Sequence, residues 1–114
     1  MVPIDQEPFE ELVGQSLDLL PEELGRLLDN VVIVVEDEHP EEELYGLYEG
    51  VPLTEREAYG DFTLPDRITL YRIPLCRDCE DFDELRDEVL ITVVHEVAHH
   101  FGIDDDRLHE FGWA

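Results

Sequence analysis

The segment over residues 81–101 constrains the fold more than any other part of the chain. Its large apolar residues recur at positions i and i+4, which is the spacing of one side of a helix. Asp81 or Asp83 can cap the start of this helix, and Gly102 is placed to end it. The apolar row consists of Val89, Val93, Val97 and Phe101, and is widened by Leu90 and Val94. The sequence therefore predicts a long helix that is covered along one side.

Other segments predict further helices and a small sheet around this long helix. The predicted elements are helices at residues 8–20 and 21–30, strands at residues 31–37, 44–48 and 66–75, and a short last helix opened by Asp104, Asp105 and Asp106. Within the third strand, Pro74 favours a position at the edge of the sheet. The order predicts an α+β fold, in which a small mixed sheet of about three strands is packed by the N-terminal helices and the long helix.

The size and charge of the chain limit what it can bind. A chain of 114 residues predicts a single domain over residues 1–114. Its 31 acidic and 7 basic residues give a net charge of −24, which repels phosphate backbones and attracts basic peptides. We therefore expect no nucleic acid, and a peptide or protein partner that can be basic, although a heavily acidic surface more often only keeps a protein soluble. No run reaches the roughly 18–20 apolar residues of a membrane span, so no membrane partner is expected. The start of the chain lacks the features of a signal peptide, so the expected location is the cytoplasm.

The chain has two cysteines, Cys76 and Cys79, in the sequence "CRDC". One C-x-x-C pair is half of a zinc ribbon, and the sequence contains no second half. The acidic residues around the pair raise the pKa of a thiol, which disfavours a redox role. The cysteines are therefore predicted to have a structural or an incidental role.

The long helix carries His95-Glu96-x-x-His99, which is the spacing of a metal site. At 3.6 residues per turn, the two histidines differ by about 40° around the helix axis and by about one turn along it, so both imidazoles can reach one ion. Glu96 lies between the two directions, beside the metal, where a general base can take a proton from a water molecule that zinc activates. The predicted cofactor is Zn²⁺, and the predicted catalytic residue is Glu96.

A third metal ligand is predicted just after the helix. Gly102 lets the chain turn back, and Asp105 then follows His99 by six residues, which gives the pattern H-E-x-x-H-x-x-G-x-x-D. Asp105 is preferred, while Asp104 and Asp106 remain alternatives; a simpler interpretation is that these aspartates only cap a helix. The remaining histidines are interpreted as surface or core residues (His100), a surface or second-layer residue (His109) and a loop residue (His39).

Three stretches resemble a family of small bacterial zincin-like proteins, also described as minimal zincins. They are "LYGLYEGVPLTER", "LPDRITLYRIPL" and "TVVHEVAHHFGIDDDRLHEFGW", in this order. The resemblance implies a reduced zincin fold with a small sheet and a long metal-site helix. It also implies that His95, His99 and Asp105 are zinc ligands and that Glu96 is the base. The methionine turn of metzincin proteases has no counterpart, because Met1 is the only methionine.

The function suggested by this resemblance is zinc-dependent hydrolysis of peptide bonds. Zincins pair their substrate with an edge strand, and "RITLYRIPL" is the expected edge. Tyr71 or Arg72 on that strand would then stabilise the oxyanion. The alternative hypothesis is an acidic interaction module that binds metal without catalysis, or whose zincin site is degenerate or empty.

Overall fold

The computed structural model describes residues 1–50, 64–104 and 106 of the chain. The helices in these residues are α1 (Gln6–Leu17), α2 (Glu22–Arg26), α3 (Arg72–Arg77) and α4 (Phe82–His100). The strands are β1 (Val31–Glu36), β2 (Gly46–Glu49) and β3 (Asp66–Tyr71). Each corresponds to a segment with the predicted periodicity, except for α3. The predicted α+β class is confirmed, while most of the predicted last helix lies outside the described residues.

The three strands form one mixed sheet in the order β1-β3-β2. β1 pairs with β3 in parallel, from Val31 opposite Asp66, whereas β2 pairs with β3 in antiparallel, from Gly46 opposite Leu70. Opposite charges support the second pairing, because Arg67 Nη2 lies 2.8 Å from Glu49 Oε1 across the two strands. Among the strands of the described residues, β3 is therefore the central one, and β1 and β2 lie at the two edges.

The prediction that residues 66–75 form an edge strand was wrong. β3 ends at Tyr71, and Pro74 lies in the first turn of α3, where the N–H that proline lacks has no partner within a helix. The same proline that is excluded from a central strand is thus tolerated just after one. Ile73 N donates to the carbonyl oxygen of Asp37 at 2.9 Å, which holds the start of α3 against the end of β1.

The core lies between the sheet and the two longer helices, α1 and α4. Its fully buried members come from α1, from β3 and from α4. They include Phe9, Ile68, Leu70, Leu85, Val89, Val93 and Val97. The predicted apolar row of α4 is confirmed at its three valines and at Leu90 and Val94. Phe101 is the exception: it is 45% exposed, because the helix has ended before its side chain can reach the core.

The two ends of α4 are fixed by local contacts that the sequence predicts. At the start, Glu84 N donates to Asp81 Oδ1 at 2.8 Å, which caps the helix. At the end, Gly102 has a φ of 69°, and Ile103 N donates to the carbonyl oxygen of Ala98 at 2.8 Å. This is a Schellman turn, and Ile103 packs against Ala98 as such turns require. The turn directs the chain beyond His99 back towards the helix.

Cys76 and Cys79 are both buried in the core and are not joined in a disulfide. The pKa of the Cys79 thiol is raised to about 11, mainly by burial and in part by the negative charges of Glu84 and Glu88. Both causes disfavour a reactive thiolate. The cysteines accordingly act as small apolar residues of the core.

The described part of the chain contains no helix that is long and apolar enough to cross a membrane.

Candidate metal centre and active site

His95, Glu96 and His99 lie on the side of α4 that faces away from the core. His95 and His99 are exposed and Glu96 is half-buried, whereas the neighbouring Val97 and Ala98 are buried. The same helix therefore supports the core with one side and presents two imidazoles and a carboxylate with the other. This placement agrees with what the H-E-x-x-H spacing requires of its helix.

Glu96 contacts the main chain of β2. Tyr48 N donates to Glu96 Oε1 at 3.0 Å. The direction of this N–H follows from the pairing of β2 with β3. Tyr71 N donates to the carbonyl oxygen of Tyr45, so in an antiparallel pair the main-chain groups of Gly46 and Tyr48 point away from β3. Glu96 thus binds the outer edge of the sheet.

A glycine allows β2 to approach α4 closely enough for this contact. A Cβ atom on Gly46 would lie 2.7 Å from Thr92 Cγ2 and 3.2 Å from the carbonyl oxygen of Thr69. Thr92 is itself buried, one turn before Glu96 on the helix. The absence of a side chain at residue 46 therefore sets the distance between the edge strand and the helix that carries the candidate site.

A groove of ≈ 350 Å³ lies between the segment leading into β2 and the exposed side of α4. The segment leading into β2 contributes Glu43, Leu44, Tyr45 and Gly46 to its lining. Helix α4 contributes Glu88, Ile91, Thr92, His95 and Glu96. The groove combines apolar side chains with carboxylates. It ends on one predicted ligand and on the predicted base, so a molecule bound in it would reach Glu96.

The site includes three residues that the sequence does not single out as functional. Tyr48 contacts Glu96, and His100 and Asp66 contact the side chain of Tyr48. The ring of His100 stacks on that of Tyr48, with centroids 3.9 Å apart and an interplanar angle of 17°. The hydroxyl of Tyr48 donates to Asp66 Oδ2 at 2.7 Å. Of the two positions expected for His100, surface or core, the structure shows the exposed one, but nothing in the sequence indicates that it meets Tyr48.

The family of zincin-like metallopeptidases matches residues 28–113, which is more than half of the chain. The chain belongs to this family. The match confirms the resemblance that the three sequence stretches predicted, and with it the reduced zincin-like fold. It supports a fold of the metallopeptidase type.

One solved structure has the same fold over most of its length. It is a conserved hypothetical protein from T. thermophilus, with 25% sequence identity and a TM-score of 0.54. The similarity covers 84% of this chain and 92% of the other. No curated protein sequence matches the chain at a significant level.

The residues of this zincin-like chain fit zinc in their chemistry. Imidazole nitrogens are preferred zinc ligands, and His95 and His99 present two of them on one exposed helix side. Among the described residues there is no group of three or more His, Cys, Asp or Glu side chains that could hold a metal. The predicted third ligand, Asp105, and the neighbouring His109 lie outside the described residues. The described residues therefore include two of the three predicted ligands, with Glu96 between them in the sequence.

The expected donors for an oxyanion are engaged elsewhere. Arg72 Nη2 lies 2.9 Å from Asp37 Oδ1, and its Nη1 donates to the carbonyl oxygen of Ile4 at 2.6 Å. Tyr71 is 2% exposed and meets the ring of His39 edge-on. Tyr71 and Arg72 were expected to stabilise an oxyanion because residues 67–75 were placed at the edge of the sheet. Since β3 lies between β1 and β2, this expectation was wrong.

Proposed function

We propose that the chain is a zinc-dependent peptidase in which Glu96 is the general base, and His95, His99 and Asp105 hold the metal. The observation that carries the proposal is the contact between Glu96 Oε1 and Tyr48 N, 3.0 Å long. It joins the glutamate of the H-E-x-x-H motif to the outer edge of a sheet, and such an edge is where an extended peptide can add a strand. Membership of the zincin-like metallopeptidases supports the same function.

The chemistry divides between the metal and Glu96. Zinc, when bound, supplies Lewis acidity, which polarises a carbonyl group and lowers the pKa of water. Glu96 accepts a proton from the attacking water as its oxygen forms a bond to the carbonyl carbon. The C–N bond then breaks, and Glu96 can return the proton to the departing amine nitrogen. With Oε1 held by Tyr48 N, the second oxygen of the carboxylate, Oε2, is the natural proton acceptor.

The substrate in this proposal is an extended peptide that lies along β2. The main-chain groups of Gly46 point away from β3 and can pair with such a peptide next to Glu96. The adjoining groove offers Leu44 and Ile91 to an aliphatic side chain, and Glu43 and Glu88 to a positive charge. Together with the net charge of −24, these carboxylates favour peptides with basic residues.

A second candidate function is an acidic interaction module without catalysis. The observation that favours it is the presence of Glu43 and Glu88 in the groove, because their carboxylates can bind a basic peptide whether or not it is cleaved. The hydrogen bond between Tyr48 N and Glu96 would then only join two elements of the fold. In that case Glu96 would be structural, and the groove would hold a basic peptide without cleaving it.

The experiment that separates the two functions is cleavage of an unbiased peptide mixture by zinc-loaded protein, followed by mass spectrometry. Removal of a general base is expected to lower the rate by about 10²–10⁴-fold, so Glu96→Gln should abolish most cleavage. Glu10→Gln is the matched control, because it makes the same chemical change on α1, beside β1 and away from the site.

Cleavage that is lost in Glu96→Gln and kept in Glu10→Gln would support the peptidase. Zinc binding without cleavage that depends on Glu96 would contradict it and support the interaction module. If the wild type binds no stoichiometric zinc, even with zinc added, neither function through a metal site holds.

A further inference from the structure

Glu96 contacts Tyr48, whose own side chain lies in a cluster with His100 and Asp66. We propose that Tyr48 is the positioning residue of the candidate site, and that His100 and Asp66 hold it in place. We name these three residues the Tyr48 clamp. The inference rests on the proposed function, because it concerns how Glu96 is kept in the geometry that a general base requires.

A glutamate on an exposed side of a helix has several rotatable bonds and is not fixed by its own backbone. Catalysis requires the carboxylate to be held within about 0.5 Å of its working position. In this chain the hydrogen bond from Tyr48 N supplies such a restraint on Oε1. The restraint is only as rigid as the short strand that provides the N–H, and β2 has four residues at the edge of the sheet.

Asp66 anchors the hydroxyl end of Tyr48. The hydroxyl donates to Asp66 Oδ2 at 2.7 Å, and Asp66 is 8% exposed at the first position of the central strand. A hydrogen bond to a buried carboxylate is among the stronger kinds in proteins. The side chain of Tyr48 is therefore tied to β3, while its main chain is tied to α4.

His100 packs against the face of the Tyr48 ring, whereas Asp66 binds its hydroxyl. The two rings are close to parallel at 3.9 Å, and Phe101 meets both edge-on, at 6.2 Å from Tyr48 and 5.0 Å from His100. The strand also passes close to His100 beyond β2, because a Cβ atom on Gly50 would lie 3.2 Å from His100 Cε1. The imidazole thus occupies a fitted position at the end of α4.

Glu96 and His100 are four residues apart and so lie on one side of α4, one turn from each other. Tyr48 bridges them, since its N–H contacts the first and its ring the second. Two contacts from one residue to two successive turns fix both the position and the rotation of the helix relative to β2. A single contact would leave the carboxylate free to rotate away.

The test measures the Tyr48 N–H itself, in metal-free protein and without substrate, by amide hydrogen exchange in NMR. His100→Ala removes the ring and should raise the exchange rate at Tyr48 by roughly tenfold, as expected for loss of one hydrogen bond. His100→Phe keeps a ring for stacking and should restore slow exchange. Tyr48→Phe, which removes the hydroxyl and with it the bond to Asp66, should give an intermediate rate.

His39→Ala is the matched control, because it removes an imidazole that meets another tyrosine, Tyr71, away from Glu96. It should leave the exchange at Tyr48 unchanged. Equal exchange rates in wild type and His100→Ala, or an equal rise in His39→Ala, would overturn the clamp. So would a failure of His100→Phe to restore slow exchange.

A second measurement separates the clamp from the proposed function. In zinc-loaded protein, His100→Ala should lower kcat by roughly tenfold at unchanged KM and zinc content, with kcat recovered in His100→Phe. If exchange at Tyr48 responds but the wild type shows no cleavage that depends on Glu96, the peptidase is wrong and the clamp stands. If cleavage depends on Glu96 but neither exchange nor kcat responds to His100→Ala, the clamp is wrong and the peptidase stands.

Discussion

The two edges of the sheet differ in what borders them. Beside β1 lies a groove of ≈ 390 Å³ with the apolar residues Val13, Leu17, Ile33 and Val35 among its lining. Beside β2 lies the groove that contains His95 and Glu96. A helix borders each groove, α1 in the first case and α4 in the second. Ile33 and Val35 of β1 thus face an apolar groove and pack against the core, whereas β2 meets α4 through a carboxylate and a main-chain N–H.

This difference separates stability from function within one small fold. Burial of apolar side chains is not directional and tolerates a range of shapes, so the β1 side can carry the stability of the chain. A hydrogen bond depends on the position of two atoms and contributes little net free energy, so it serves to fix geometry. Substitutions on the β1 side should therefore change stability and leave the site intact, whereas substitutions on the β2 side should also change the site.

The largest effect on stability is expected on the β1 side. Phe9→Ala removes a fully buried ring of α1 and should lower the free energy of unfolding by about 3–5 kcal/mol. Glu96→Gln keeps an oxygen acceptor for Tyr48 N and should change the free energy of unfolding by less than about 1 kcal/mol. Urea unfolding of both variants measures the two values. Similar losses would show that the two edges do not divide their roles in this way.

A pair of glycine substitutions sharpens the comparison. Gly46→Ala places a Cβ atom 2.7 Å from Thr92 Cγ2 and should cost about 1–3 kcal/mol by forcing β2 away from α4. Gly14→Ala, on α1 beside β1, meets no atom within 4 Å and should instead stabilise the chain by about 0.5–1 kcal/mol, because alanine favours a helix.

The rescue of Gly46→Ala identifies the clash that causes its effect. Thr92→Ser removes Cγ2 and should recover part of the stability in the double variant, the remainder being the contact with the carbonyl oxygen of Thr69 at 3.2 Å. The readout is again urea unfolding, together with exchange at the Tyr48 amide. Equal stability in the single and double variants would assign the effect to something other than Thr92.

The smallest expected effect concerns the segment that leads into β2. The hydroxyl of Tyr45 donates to Asp78, and this hydrogen bond is the main reason that the pKa of Tyr45 is raised to about 12 from 10.0. Because the folded pKa is above the unfolded one, the stabilisation is fully present below pH 10 and is lost as the pH rises to 12. The wild type should therefore exceed Tyr45→Phe in stability below pH 10, with the difference vanishing towards pH 12. A difference that is constant over this range would contradict the assignment.

The long helix could be predicted from sequence because its determinants are local. The apolar row, the cap at Asp81 and the turn at Gly102 each depend on residues within a few positions of one another. The fold class followed from the order of such segments. Phe101 was misplaced by the same periodicity, since the row continues in the sequence where the helix has already ended.

The sheet order and the surroundings of Glu96 could not be predicted, since they depend on contacts between distant residues. Pro74 excludes a central strand but does not reveal that the strand ends three residues before it. Glu96 and Tyr48 are 48 residues apart, and no pattern in one sequence links them. The H-E-x-x-H motif identifies the chemistry of the site, whereas the edge strand beside it is known only from the fold.

The most direct test of the central claim, that the exposed side of α4 beside β2 carries a metal centre, is titration of metal-free protein with Zn²⁺ by calorimetry. We expect one zinc ion per chain in the wild type. We also expect at least about a tenfold loss of affinity in His95→Ala and in His99→Ala, and no loss in His39→Ala, whose imidazole lies in the loop after β1. Absence of stoichiometric binding in the wild type, or an equal loss in His39→Ala, would contradict it.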